Sequence, residues 1–268
     1  MSARLSRNLC WVLIVASGIA GHANAAMVAK AVPYQVGNTR FEGELVYDDA
    51  SKTSRPGLVM APNWYGVNAA AIAKAKQIAG PDYVIFLADM YGKGVRPGDN
   101  KAASAAVKPL YADRKLMRAR INAALDQLRA QEGSAPIDPM RLAAIGFCFG
   151  GAAVLDLARS GADIAAVVTF HGDLKTDDPA LAKNIKASVL AMNGADDTFT
   201  MSDAAAFEAE MRGSPADWQF VVFGHAVHCF TETDAHSPPG CVYDAKIAKR
   251  AYTLMRSWLD EAFRGRAR

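Results

Sequence analysis

A cysteine, a pair of aspartates and two histidines follow one another along this chain, each close behind a short apolar run. Cys148 follows "RLAAIGF", Asp196 and Asp197 follow "ASVLAMNG", and His225 and His228 follow "DWQFVVF". A thiol attacks as its thiolate, an imidazole can take the proton, and a carboxylate can orient the imidazole. The stretch around Cys148 reads Gly146-Phe147-Cys148-Phe149-Gly150-Gly151. An apolar strand before it and the helical pattern "GGAAVLDLARS" after it make a strand, turn and helix. That is the nucleophile-elbow pattern G-x-S-x-G with cysteine in the serine's place. Glycines suit such a turn because neighbouring backbone lies close. The helix N-terminus behind the thiol favours its thiolate. Half of a disulfide and a small buried residue are the other readings of Cys148.

The elements that position these residues alternate. "YQVGNTRFEGELVYDD" has the period of strands and a Gly-Asn turn, predicting an N-terminal β-hairpin. "PGLVMAP", "YVIFLAD", "RLAAIGF", "IAAVVTF", "ASVLAMNG" and "DWQFVVF" are short apolar strands. Helical patterns separate them, one breaking near Pro109 and another with Ser202 as N-cap, and "YDAKIAKRAYTLMRSWLDEAF" closes the chain as an amphipathic helix. Strands that are apolar throughout, alternating with helices, predict a mostly parallel sheet with helices on both faces. In such sheets the site forms at the carboxyl ends of the strands. The cysteine, the aspartates and the histidines all fall there.

The first residues are set apart from this pattern. "MSARLSRN" is basic, "LCWVLIVASGIA" is apolar, and Ala23-Asn24-Ala25 has small residues at cleavage spacing. That order predicts a signal peptide over 1–25, a mature single domain over 26–268, and a periplasmic or secreted protein without stable membrane insertion. Of the 268 residues, 51% are hydrophobic and the formal charge is +3, with no clustered basic face for nucleic acid. Cys148, Cys229 and Cys241 remain after cleavage, an odd number in an exported chain. Cys229 and Cys241 flank a polar loop, where an oxidising compartment permits a bond that leaves Cys148 free. The histidines lack paired metal-ligand spacing, so neither a metal nor another cofactor is expected.

Taken in order, "PGLVMAPNWYGVN", "ADMYGKG", "GFCFGG", "NGADDTF" and "VHCF" resemble the dienelactone hydrolase family of α/β-hydrolases. The resemblance runs over most of the mature chain and implies the α/β-hydrolase fold. It implies Cys148 as nucleophile, Asp197 as the acid and His228 as the base, leaving Asp196 a loop acid and His225 a loop histidine with a structural hydrogen bond. The oxyanion would meet the backbone N–H groups of Phe149 and Trp64. Two departures stand out. Asn63 occupies the place of a family glutamate that helps to activate the thiol, and an amide cannot accept a proton. The arginines that hold a substrate carboxylate are poorly matched: Lys93 stands at one position and Glu232 near the other.

The leading expectation is therefore an exported cysteine hydrolase of small esters or lactones, working as a monomer or weak oligomer through an acyl-thioester. A degenerate hydrolase fold that binds in the cell envelope, and a redox-reactive thiol protein, are the alternatives. His171, at a strand end, either faces the site or is a capped structural histidine. Trp64, Tyr65, Phe147 and Phe149 either wall an acyl pocket or only pack.

Overall fold

The computed structural model describes residues 27–266. The expected leader over 1–25 lies outside them. Eight strands form one sheet: β1 (Met27–Val36), β2 (Thr39–Asp48), β3 (Arg55–Ala61), β4 (Val84–Leu87), β5 (Ile137–Phe147), β6 (Ala166–Phe170), β7 (Ser188–Gly194) and β8 (Trp218–Phe223). Their spatial order is β1-β2-β4-β3-β5-β6-β7-β8. The hairpin β1–β2 joins through an antiparallel β2–β4 pair, and every pair from β4 to β8 is parallel. The hairpin turns at Gly37 and Asn38, as its sequence predicts, but β1 starts earlier than Tyr34. It pairs with β2 from Met27 onward. As an edge strand it is mostly half-exposed, so its first residues carry no strong alternation.

The central strands are apolar throughout because both of their faces are covered. On one face Val59, Phe86, Ala144 and Val167 pack under α3 (Arg114–Arg129), α4 (Phe149–Arg159) and α5 (Ala204–Arg212). On the other, Leu58, Ile85, Ile145 and Val168 pack under α1 (Ala69–Ala79) and α6 (Ala245–Arg266). Neighbouring residues of each strand thus serve opposite layers.

Two helix boundaries differ from those read in the sequence. Pro109 stays inside α2 (Asn100–Ala112), and the interruption falls four residues later at Asp113. Asp113 ends α2 and caps α3, its carboxylate accepting the Leu116 N–H at 2.9 Å. That cap supplies a partner to one of the orphan N–H groups of a new helix. Ser202 does not cap: it lies within a 3₁₀ turn, Met201–Asp203, that leads into α5. Near the end of the chain, β9 (His236–Ser237) and β10 (Cys241–Val242) form a small antiparallel ribbon.

Candidate active site

Three loops at the carboxyl ends of β5, β7 and β8 bring Cys148, Asp197 and His228 together. Cys148 occupies the turn between β5 and α4 with φ 53° and ψ −119°, a conformation that costs energy for a residue with a Cβ. The turn is held from both sides. The Cys148 N–H donates to the Phe170 carbonyl at 3.0 Å, and the Cys148 carbonyl accepts from Gly151 at 2.9 Å. Glycine is required next to it: a Cβ on Gly146 would lie 2.1 Å from the Gly150 carbonyl oxygen, and one on Gly150 would lie 2.1 Å from that of Ala61.

His228 Nε2 lies 3.1 Å from Cys148 Sγ, and His228 Nδ1 lies 2.7 Å from Asp197 Oδ2. Asp197 is buried and accepts two further hydrogen bonds. Oδ1 accepts the Phe199 N–H at 3.0 Å and Oδ2 accepts the Thr200 hydroxyl at 2.8 Å. Asn193 Nδ2 in turn donates to Thr200 Oγ1 at 2.7 Å. Burial works against a charged His228, but the negative charge of Cys148 and the hydrogen bonds to Asp197 and Cys148 outweigh it. The imidazole is pushed up to about 10, which favours the imidazolium at neutral pH.

The backbone around His228 is fastened as well. Cys229 and Cys241 form a disulfide, leaving Cys148 as the free thiol among the described residues. The Val242 N–H, in the same ribbon, donates to the His228 carbonyl at 3.1 Å. The ring of His171 meets that of His228 edge-on at 4.9 Å. His171 is fully buried with φ 41°, and its Nε2 sits 2.8 Å from Thr231 Oγ1. Burial, then His228 and Lys74, hold its pKa well below the ordinary value, so it is a neutral wall behind the His228 imidazole.

Phe149 is the first residue of α4, so its N–H has no acceptor within the helix. Neither that N–H nor the N–H of Trp64 donates to another group among the described residues. The Trp64 carbonyl accepts the Tyr91 hydroxyl at 2.8 Å, and Tyr91 stacks on Phe149 with centroids 5.7 Å apart. Tyr111 meets the same Phe149 ring edge-on. Burial and the neighbouring Cys148 raise the pKa of both tyrosines, so their hydroxyls stay protonated.

Asn63 is engaged away from the thiol. Its Oδ1 accepts the Tyr65 N–H at 3.0 Å and its Nδ2 donates to Glu232 Oε2 at 2.8 Å. Glu232 Oε1 takes Lys74 Nζ at 2.5 Å. One buried carboxylate thereby ties the loop after β3 to the loop that carries His228. This clamp lines a cavity of about 500 Å³ with Phe147, Thr231 and Tyr252. No member of the Cys148 group lines that cavity, so it lies beside the reactive group and does not contain it.

Lys93 does not join the group: its Nζ pairs with Glu42 Oε2 at 2.7 Å on a half-exposed side chain. His225 makes no structural hydrogen bond. It is fully exposed, with Asp196 4.0 Å away. Tyr91, Tyr111, Thr200 and the Lys74–Glu232 pair escape sequence reasoning. Of these Tyr91 carried a signal, inside "ADMYGKG", and Glu232 stood near the position of a family arginine. Among the described residues no group of three or more His, Cys, Asp or Glu is placed to hold a metal, and no helix is long and apolar enough to cross a membrane.

A structure described as a dienelactone hydrolase-like promiscuous phosphotriesterase, from metagenomic libraries, is 40% identical to this chain. It aligns with a TM-score of 0.82 over 88% of this chain and 99% of its own. A dienelactone hydrolase from Anabaena variabilis, 18% identical, shares the fold with a TM-score of 0.64 over 88% of this chain and 98% of its own. An uncharacterised Caenorhabditis elegans protein is 34% identical over 153 residues, which are 55% of this chain and 94% of that protein. The sequence profile of the dienelactone hydrolase family matches residues 41–263. With that match spanning β3 to β8 and all three loops, the chain belongs to the dienelactone hydrolase family.

Proposed function

We propose that the protein is a cysteine hydrolase of small carboxylic esters or lactones. The observation that carries this reading is the position of His228, 2.7 Å from Asp197 Oδ2 and 3.1 Å from Cys148 Sγ. Cys148 attacks the carbonyl carbon as a thiolate, with its proton on His228. The tetrahedral oxyanion accepts hydrogen bonds from the N–H groups of Phe149 and Trp64. His228 then gives its proton to the leaving oxygen as the carbon–oxygen bond breaks, which leaves an acyl-thioester. A water, deprotonated by His228, attacks that thioester and releases the acid and the thiol.

Hydrolysis of 4-nitrophenyl acetate by wild type, Cys148→Ser and His228→Ala tests the assignment. Each variant is expected to lose roughly 10⁴-fold in kcat. Acid-quenched wild type should carry an acetyl group on Cys148 by mass mapping. Equal rates in the three proteins overturn the reading.

A second substrate follows from the 40% identical neighbour described as a promiscuous phosphotriesterase. The same thiolate would meet an uncharged phosphorus centre in place of a carbonyl carbon. Diethyl 4-nitrophenyl phosphate assayed beside the acetate decides this, with no turnover of the phosphate removing it. The protein is further proposed to work, as a monomer or weak oligomer, in an oxidising compartment outside the cytoplasm. The disulfide Cys229–Cys241 supports that location.

A further inference from the structure

Lys93, Lys74 and Arg114 are each paired with a carboxylate. Lys93 is held by Glu42 at 2.7 Å and Lys74 by Glu232 at 2.5 Å. Arg114, whose guanidinium carbon lies 5.8 Å from the Tyr111 ring, pairs with the buried Asp156 at 3.0 Å. Around Cys148 stand neutral aromatic groups. The thiol packs in the same cluster as Trp64, Tyr91 and Phe149, Tyr111 abuts Phe149, and Phe199 lies edge-on to His228 at 5.5 Å. Acids stand beside this wall as well: Asp89 Oδ1 accepts the Tyr91 N–H at 3.0 Å, and Asp173 adds negative charge near Tyr111.

From this arrangement, and resting on the hydrolase reading above, we infer that the site accepts uncharged esters with apolar or aromatic parts and rejects esters that carry a carboxylate. A carboxylate entering here gives up its water without gaining a cation, and desolvating an unpaired charge is costly. It also sits near the oxyanion that forms on the attacked carbonyl, so the penalty grows toward the transition state. The hydroxyls of Tyr91 and Tyr111 can donate to such a group, but Tyr91 already donates to the Trp64 carbonyl, and the negative charge of Asp173 near Tyr111 repels a carboxylate. Lys74 is released only by breaking the clamp that ties Asn63 to the His228 loop.

The 4-nitrophenyl half-ester of adipic acid and its methyl ester test this. They share leaving group and chain and differ by one negative charge. With rates in Cys148→Ala subtracted, kcat/KM for the methyl ester is expected to exceed that for the half-ester by about tenfold or more, the scale of an uncompensated charge. In Tyr111→Arg, where a cation replaces a neutral ring, the ratio should narrow. Equal kcat/KM for the two substrates in wild type overturns the inference while leaving the hydrolase reading intact, whether or not the variant folds. Turnover of neither substrate above the Cys148→Ala rate overturns the hydrolase reading itself, and the inference with it.

Discussion

The two ends of α4 solve opposite problems. At its last residue, the buried Arg159 has its whole guanidinium satisfied. Nε and Nη2 each reach Glu210 at 2.7 Å, Nη1 reaches Asp156 and the Lys175 carbonyl, and Nη2 also reaches the Leu174 carbonyl. A cation also complements the negative end of the helix. At the other end Cys148 is strained, and the neighbouring His171 is strained with it. Three buried polar atoms there, Thr169 Oγ1, His171 Nδ1 and Asn193 Oδ1, have no protein partner. The helix thus ends in a closed network that joins α3, α4 and α5, and begins at a strained turn that carries its thiol. Stability and reactivity are drawn from opposite ends of the same element.

Substitutions at each end should separate the two properties. The largest separation is expected for Asp197→Asn, with kcat down by roughly 10³-fold because the imidazole loses its orienting charge. This variant also reports on the pKa of His228. Its folded value, about 10, lies above the ordinary 6.5. The stability that its proton lends is therefore complete below the ordinary value and is gone once pH has risen through about 10. Hydrolysis should fall along that same alkaline limb as the imidazolium disappears. Without the Asp197 charge the limb should move to lower pH, and a pH–rate profile that stays in place would break the link.

The next effect is at the other end. Arg159→Leu leaves Asp156 and Glu210 short of a buried partner and should cost about 3–5 kcal/mol in urea unfolding. The kcat of the remaining folded protein should hold. A kcat that falls with the stability would show that the two ends of α4 are coupled. The smallest effect is expected for Glu232→Gln, which weakens the clamp on Asn63 without touching the thiol. A loss of about tenfold in kcat with little change in KM fits a positioning residue that aligns the Trp64 N–H. A rise in KM alone would move Glu232 into substrate binding.

Much of this arrangement was visible in the chain because it depends on local pattern. Gly146 and Gly150 mark the turn at Cys148, and the acid and the histidine follow apolar strands whose ends must share one edge of a parallel sheet. The clamp was not visible. Asn63 and Glu232 are 169 residues apart, and nothing near either one signals the other. The direction of Lys93 was hidden for a similar reason, since Lys93 lies in the loop after β4 and Glu42 on β2. At Pro109 the local rule overstated the break. Losing one N–H did not end the helix, while Asp113 offered a cap for a new one.

The distance along the chain from Cys148 to His228 has its own meaning. During synthesis the ribosome releases the thiol 80 residues before the imidazole that arms it. Until the loop after β8 is in place, Cys148 lacks the imidazole that faces it in the folded chain. Its partner arrives beside Cys229, so the last stretch of chain both arms the nucleophile and brings in the cysteine that pairs with Cys241. Pairing of the thiol with its base thereby requires a chain made through β8, the far edge of the sheet.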